Sequence, residues 1–278
     1  FALGVDSVGG AFETAGRQKI TPPDPEVPQD TEAAAFFDVD NTLIQGSSLI
    51  LLAQGLFKKR FITLSELAPA LRKQIRYRIS GSENADDIAE GREQALAIVK
   101  GKSVEELKQA CREIVDNRML QKSYADTIEL ASMHLAAGQQ VWLVSATPVQ
   151  IGQALAETLG FTGALGTVAE EEDGKFTGRL VGDILHGPGK KHAVAALAAL
   201  QQLDLSKCTA YSDSVNDLPM LNMVGSPVAV NPDRALRKHA KAQGWAVRDY
   251  RSMRRVVRAG VVPAVLAAAG LWWWRRRR

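Results

Sequence analysis

The chain has 278 residues, of which 46% are hydrophobic and 23% charged, enough to bury a core and form one large or two modest domains. Its net charge of +3 hides an asymmetry. Residues 248–278 contain nine Arg and one Asp, a net of +8, so the rest carries −5. Because the basicity lies in the tail, composition argues against a nucleic-acid partner.

Residues 1–32 are rich in Gly, Pro, Thr and acidic residues and show no sustained apolar period. We expect a disordered leader without the apolar core of a secretory signal. Cys111 and Cys208 lack metal-ligand or redox spacing. They are interpreted as reduced packing residues of a cytosolic protein, with a disulfide as the alternative.

Short apolar runs alternate with helical patterns along the chain. The runs at 33–39, 140–145, 207–212 and 226–231 are typical of buried parallel strands. Helical patterns follow at 147–160, 189–203 and 233–244. This alternation predicts an α/β fold, a doubly wound, mostly parallel sheet. Asp173-Gly174 lies between two further strand-like runs, which predicts a hairpin over 168–182.

The segment 47–132 shows successive helical patterns, and Ser103 to Glu106 forms a capping box. We expect a helical cap over 47–132 and a catalytic core formed by 33–46 and 133–250. A tail over 251–278 follows. An insertion after the first strand would sit over the carboxyl ends of the strands, where ligands bind in such folds.

Asp38 and Asp40 stand two residues apart at the end of the first apolar run. At a strand end both carboxylates can face one pocket, where their repulsion would be relieved by a hard divalent cation. Mg²⁺ suits such a site, because it prefers oxygen ligands and keeps substrate phosphate and water in its shell. For an isolated Asp-x-Asp, turn and cap residues are the alternative.

Four other polar residues occupy strand-end or helix-start positions. They are Ser145 in "LVSATP", Lys190 in "GPGKKHA", and Asp213 and Asp217 in "YSDSVNDLP". Together with "DVDNT", this order resembles the haloacid dehalogenase superfamily, in its phosphoserine-phosphatase-like subfamily IB with a C1-type helical cap. The resemblance covers residues 33–243.

The resemblance implies a role for each matching residue. Asp38 would attack phosphorus to form an aspartyl-phosphate, and Asp40 would serve as general acid and base. Lys190 would pair with Asp38 and the phosphate, and its neighbour Lys191 is the alternative lysine. Mg²⁺ would be the cofactor. Its implied ligands are Asp38, the backbone carbonyl of Asp40, Asp213 and, through water, Asp217; the implied phosphate and substrate contacts are Asn41, Thr42, Ser145 and Asn216.

Two positions depart from the phosphoserine phosphatases of this family. They carry a Glu for the substrate amine nine residues after the nucleophile, where this chain has Ser47. A cap Arg for the substrate carboxylate aligns with Glu93, although a one-residue shift would bring in Arg92. The phosphatase chemistry is therefore expected without phosphoserine selectivity.

The stretch 259–274 has 16 uncharged residues flanked by Arg and ends in three Trp. As a helix it would reach about 24 Å, short of the roughly 30 Å hydrocarbon core. Trp beside Arg suits a membrane interface with anionic lipid. There are three interpretations of this stretch: peripheral contact with a membrane, a disordered or core-docked helix, and a helix that spans the membrane.

The sequence therefore predicts a Mg²⁺-dependent phosphomonoester hydrolase acting on a small or lipid-like phosphate ester. Phosphoserine phosphatase is one alternative, and a membrane-tethered binding protein with a relic site is the other. The expected location is the cytoplasm, and the tail would allow association with the inner face of the membrane. The sequence indicates no oligomeric state.

Overall fold

The computed structural model describes residues 28–63, 66, 95–182 and 184–251. The predicted leader, apart from residues 28–32, lies outside these ranges. So do Arg92, Glu93 and the tail beyond residue 251.

One sheet organises the described part of the chain. Its strands lie in the order β4-β3-β2-β1-β5-β6-β7, and every neighbouring pair is parallel except β3 and β4. The strands are β1 (Ala34–Phe37), β2 (Gln140–Pro148), β3 (Gly163–Glu172), β4 (Lys175–Val181), β5 (Thr209–Ser212), β6 (Ser226–Val230) and β7 (Ala246–Arg248). The predicted α/β class is confirmed, and β1 lies at the centre of the sheet.

Seven α-helices accompany these strands in the described ranges. They are α1 (Ser48–Lys58), α2 (Val104–Ile114), α3 (Ala125–Ala136), α4 (Val149–Leu159), α5 (Pro188–Gln201), α6 (Leu218–Leu221) and α7 (Arg234–Gln243). A π-helical turn, Val115–Met119, continues α2. The Ser103 half of the predicted capping box is present, because the Ser103 hydroxyl accepts a hydrogen bond from the Glu106 amide at 3.3 Å.

The hairpin predicted from Asp173-Gly174 is confirmed. The two residues connect the antiparallel strands β3 and β4 and have φ of 49° and 75°. Positive φ at both central positions is the requirement of a type I′ turn, which Asp-Gly meets at little cost.

Both faces of the sheet are covered. Phe36 and Phe37 are neighbours in β1 and point to opposite faces, as strand geometry requires. Phe37 belongs to an apolar cluster shared with α1, α2 and α4, whereas Phe36 packs with residues of α5 and α7. This arrangement is the predicted doubly wound core.

The segment after β1 leaves and rejoins the sheet at one place. The Gln45 amide donates to the Lys122 carbonyl at 2.8 Å, and the Tyr124 amide donates to the Leu43 carbonyl at 2.8 Å. Helix α3, which crosses the predicted boundary between cap and core at residue 132, contacts β1 and β2 directly. A cap over 47–132 remains a prediction. Its described helices α1 and α2 lie between β1 and β2 in the chain.

Both cysteines are free and buried, so the disulfide alternative is wrong. Burial raises the pKa of the Cys111 thiol to about 12, which keeps it protonated and unreactive. Among the residues that the structure describes, no helix combines the length and apolarity that a membrane crossing needs.

Candidate active site

The loop after β1 presents Asp38 at the carboxyl end of the central strand. The Asp38 amide donates to the Tyr211 carbonyl of β5 at 2.9 Å, so the hydrogen bonding between β1 and β5 continues to this residue. The chain then turns sharply through Asn41, which has φ of 55°. This backbone conformation is tolerated best by Gly, Asn and Asp, and it allows the loop to curl around the Asp38 carboxylate.

Lys190 joins two carboxylates that are far apart in sequence. Its Nζ lies 2.6 Å from Asp38 Oδ1 and 2.8 Å from Asp217 Oδ2, and all three residues are almost completely buried. Lys191, one position further along α5, is exposed. The choice of Lys190 over Lys191 as the lysine of this site therefore agrees with the geometry.

Burial dominates the electrostatics of this group. It raises the pKa of Asp38 to about 7, an effect that the Lys190 ammonium partly offsets and that Asp217 and Asp213 reinforce. The pKa of Lys190 moves upward, because its two carboxylate partners outweigh the cost of burying the ammonium. Lys190 is thus held as a permanent cation beside Asp38.

Asp213 brings a further carboxylate to the same place. It follows β5 directly, and its side chain is hydrogen-bonded to the side chain of Asn41. Burial raises its pKa to about 7, although the bond to Asn41 and the charges of Arg251 and Lys190 oppose that shift. The predicted residues Asp38, Asn41, Asp213 and Asp217 are therefore assembled around Lys190.

Thr42 touches Asp38 directly: its hydroxyl donates to Asp38 Oδ2 at 3.1 Å. Asp40 is half-buried at the edge of the same loop. Ser145 is buried near the end of β2, and its hydroxyl lies 2.8 Å from the Thr147 hydroxyl. Since Phe37 pairs with Leu143, Ser145 stands level with the loop that follows Asp38. Asn216 is exposed beside the site.

The donor set around Asp38 suits a hard divalent cation. Lys190 contacts the carboxylates of Asp38 and Asp217 directly, and the carboxylate of Asp213 lies close enough to act on that of Asp38. Within the described ranges, no three His, Cys, Asp or Glu side chains are grouped as metal ligands. The expected Mg²⁺ ligands are the carboxylates of Asp38 and Asp213, completed by the Asp40 carbonyl, water and substrate. The metal set remains a prediction.

Three residues that support this site were not predicted. The Ser212 hydroxyl donates to Asp217 Oδ2 at 2.7 Å, and Ser48 donates to Asp40 Oδ1 through its amide at 2.9 Å and through its hydroxyl. Buried Asn231 donates to the Asn41 carbonyl at 2.9 Å and accepts from the amides of Tyr250 and Arg251. Only Asn231 carried a local signal, because Asn before Pro at a strand end favours a turn.

Comparison with known proteins agrees with this fold and site. The haloacid dehalogenase-like hydrolase family matches residues 35–222. The phosphoserine phosphatase SerB1 of Mycobacterium tuberculosis is 52% identical over 89% of this chain and 80% of its own length. A histidinol-phosphatase of Neisseria meningitidis is 33% identical over 78% of this chain and 98% of its own length.

A crystal structure of a Bordetella pertussis protein, titled as having unknown function, superposes with a TM-score of 0.69. It shares 30% identity and covers 78% of this chain and 98% of its own. The chain belongs to the haloacid dehalogenase-like hydrolase family. The family match and the names of these relatives confirm the predicted enzyme class, a phosphatase.

Proposed function

We propose that this protein is a Mg²⁺-dependent phosphomonoester hydrolase that acts through an aspartyl-phosphate on Asp38. The observation that carries this proposal is the buried contact of Asp38 with Lys190 and, through Lys190, with Asp217. Such an arrangement fixes a carboxylate beside a permanent cation at the mouth of a parallel sheet. That is the place where an anionic substrate can approach a nucleophile.

In the proposed reaction an Asp38 oxygen attacks phosphorus and the ester oxygen leaves, so one displacement becomes two easier ones. Asp40 protonates the leaving oxygen and then removes a proton from the water that hydrolyses the aspartyl-phosphate. The Lys190 ammonium and the Thr42 hydroxyl hold the Asp38 carboxylate in place. Ser145, Asn41 and Asn216 are proposed to contact the phosphoryl oxygens and the rest of the substrate.

Bound Mg²⁺ would neutralise charge on the phosphoryl group and fix in-line geometry. Asp38, Asp213 and the Asp40 carbonyl are proposed to hold it, with Asp217 orienting its water. The pKa values of Asp38 and Asp213 support this assignment, because both carboxyls are held in a buried site that disfavours their ionised forms. Such carboxylates ionise readily when a cation is close.

The substrate is proposed to be a small or lipid-like phosphate ester. Ser47 stands where the family's phosphoserine phosphatases carry a Glu, and it caps α1 by accepting from the Ile50 amide at 3.4 Å. A neutral cap offers no carboxylate for a substrate amine. The 52% identical relative named a phosphoserine phosphatase favours phosphoserine as the second candidate. The described residues give no support to a binding protein with a relic site.

Turnover and substrate choice can be tested together. Purified protein should release phosphate from p-nitrophenyl phosphate with Mg²⁺ and lose this activity after exhaustive EDTA treatment. Asp38→Asn should abolish turnover, because the amide is not a competent nucleophile. A panel of phosphoserine, histidinol phosphate, sugar phosphates and lysophosphatidate should rank phosphoserine below the best ester.

Two results would contradict separate parts of the proposal. Equal turnover by Asp38→Asn and the parent protein would refute the aspartyl-phosphate mechanism. A panel in which phosphoserine ranks first would refute the specificity argument while leaving the mechanism in place. Contact of the tail with anionic membranes stays a prediction from sequence, since the tail lies outside the described residues.

A further inference from the structure

Ser48 makes a paired contact with the carboxylate of Asp40. It is the first residue of α1 and is completely buried. Its amide donates to Asp40 Oδ1 at 2.9 Å, and its hydroxyl donates to the same oxygen. Hydrogen bonds to a charged acceptor are among the stronger ones in proteins, so the pair restrains the orientation of the Asp40 side chain.

Placing both donors on one oxygen has a chemical consequence. A general acid must keep its proton on an oxygen that faces the leaving group. When Oδ1 accepts two hydrogen bonds, its lone pairs are occupied and the proton of the neutral carboxyl belongs on Oδ2. Ser48 therefore selects the oxygen that can give and take a proton.

We propose that Ser48 is a positioning residue for Asp40, fixing the carboxylate so that Oδ2 serves in proton transfer to the leaving oxygen. This inference rests on the proposed function, in which Asp40 is the general acid. It also links the acid to the first turn of α1, the helix that opens the segment inserted after β1. A shift of that turn would disturb both hydrogen bonds at once.

The neighbouring serine provides a matched control. The Ser47 hydroxyl caps α1 by accepting from the Ile50 amide and does not donate to Asp40. Ser47→Ala removes a hydroxyl from the same turn and weakens the helix start, whereas Ser48→Ala removes the hydroxyl that reaches the acid. A difference between the two variants in how kcat/KM depends on the leaving group thus reports on the contact with Asp40.

The experiment measures kcat/KM for p-nitrophenyl, phenyl and alkyl phosphates, whose leaving groups need increasing help from a general acid. General acid catalysis contributes roughly 10²–10⁴-fold, and the Ser48 amide remains in Ser48→Ala. We therefore expect this variant to lose about tenfold or more on phenyl and alkyl phosphates and less than about threefold on p-nitrophenyl phosphate. Ser47→Ala should keep the parent's dependence on the leaving group, and Ser48→Thr, which retains a hydroxyl, should recover it in part.

Equal losses on all three substrates, or no loss on any, would overturn the role of Ser48. Asp40→Asn measured in parallel separates the two levels of the argument. If Asp40→Asn shows no extra loss on poor leaving groups, the general-acid assignment itself fails. If Asp40→Asn shows the extra loss on poor leaving groups and Ser48→Ala does not, only the positioning role of Ser48 fails. Should Ser48→Ala not fold, as judged by urea denaturation, Ser48→Cys replaces it, because a thiol fills nearly the same space but is only a weak hydrogen-bond donor.

Discussion

Single residues decide the chemistry of this site through burial rather than through sequence proximity. Lys190 and Lys191 have the same side chain and adjacent positions, yet one is buried between two carboxylates and the other is exposed. The rotation of about 100° between successive residues of α5 separates them. A buried ammonium with two ionic partners also couples stability to function, because removing it leaves uncompensated buried charge.

Lys190→Met is expected to lower kcat for p-nitrophenyl phosphate by about 10²-fold or more, because the fixed charge that is proposed to pair with Asp38 and the phosphoryl group is lost. Above pH 7, where the Asp38 carboxyl would otherwise be ionised, it should also lower the free energy of unfolding by up to about 3–5 kcal/mol. Lys191→Met, its matched neighbour, should change stability by less than about 0.5 kcal/mol. Steady-state kinetics and urea denaturation measure both effects. A larger loss in Lys191→Met would reverse the assignment.

At the scale of the elements, Asn231 ties the loop after β1 to the chain that follows β7. It is completely buried with φ of 48°, and its side chain serves the Asn41 carbonyl on one side and the amides of Tyr250 and Arg251 on the other. Burial raises the pKa of Asp213, and the charge of Arg251 partly offsets that rise. The carboxyl-terminal end of the core thereby acts on the site without supplying a proposed catalytic group.

Asn231→Gly should lower the free energy of unfolding by about 2–4 kcal/mol, since buried backbone groups lose their partners at about 1–3 kcal/mol each. It should also reduce kcat, because the Asn41 turn is released. Asn231→Ala loses the same hydrogen bonds and adds about 1–2 kcal/mol of left-handed backbone strain. Urea denaturation of the pair separates the two contributions. Parent-like stability in both variants would show that the tie is unimportant.

Six of the seven described strands and the main site residues could be predicted because they have local signals, whereas the three-residue, largely exposed β7 was not predicted. Apolar runs mark the buried strands, Asp173-Gly174 marks the hairpin, and the order of Asp38, Ser145, Lys190 and Asp213 marks the site. The contacts of Ser48, Ser212 and Asn231 could not be predicted, because their partners lie 8, 5 and 190 residues away in loops and at element ends, where no periodic pattern marks them. Periodicity reports which face is buried, but not which polar group it meets.

At the scale of the whole molecule, two buried carboxyls of the site make the free energy of unfolding depend on pH. Asp38 and Asp213 both have folded-state pKa values of about 7, above the ordinary carboxyl value of 3.8, chiefly because of burial. The folded state therefore binds protons more tightly than the unfolded state between these values. Stability from this source is full below the ordinary carboxyl pKa and is lost as the pH rises through 7.

In EDTA, the unfolding free energy of the parent protein should consequently fall between about pH 4 and pH 7 relative to that of an Asp38→Asn/Asp213→Asn variant. Added Mg²⁺ should reduce the fall in the parent alone, because a ligand that binds only the folded state stabilises it. Urea denaturation at several pH values provides the comparison. Parallel pH profiles for the two proteins would show that neither carboxyl is strained.

The adjacent departure and return of the segment after β1 bear on how this architecture can diversify. The chain leaves at Gln45 and returns at Lys122, and two backbone hydrogen bonds join the departing and returning stretches of chain. Because the two ends of the segment are therefore adjacent, segments of different length could be exchanged there without disturbing the strand order. Packing opposes that freedom. Helix α2 contacts α4, and their buried side chains form one apolar cluster with the face of the sheet. A replacement segment must therefore supply apolar side chains that cover α4. The strand order permits the exchange, but the amino-acid composition of the new segment is restricted.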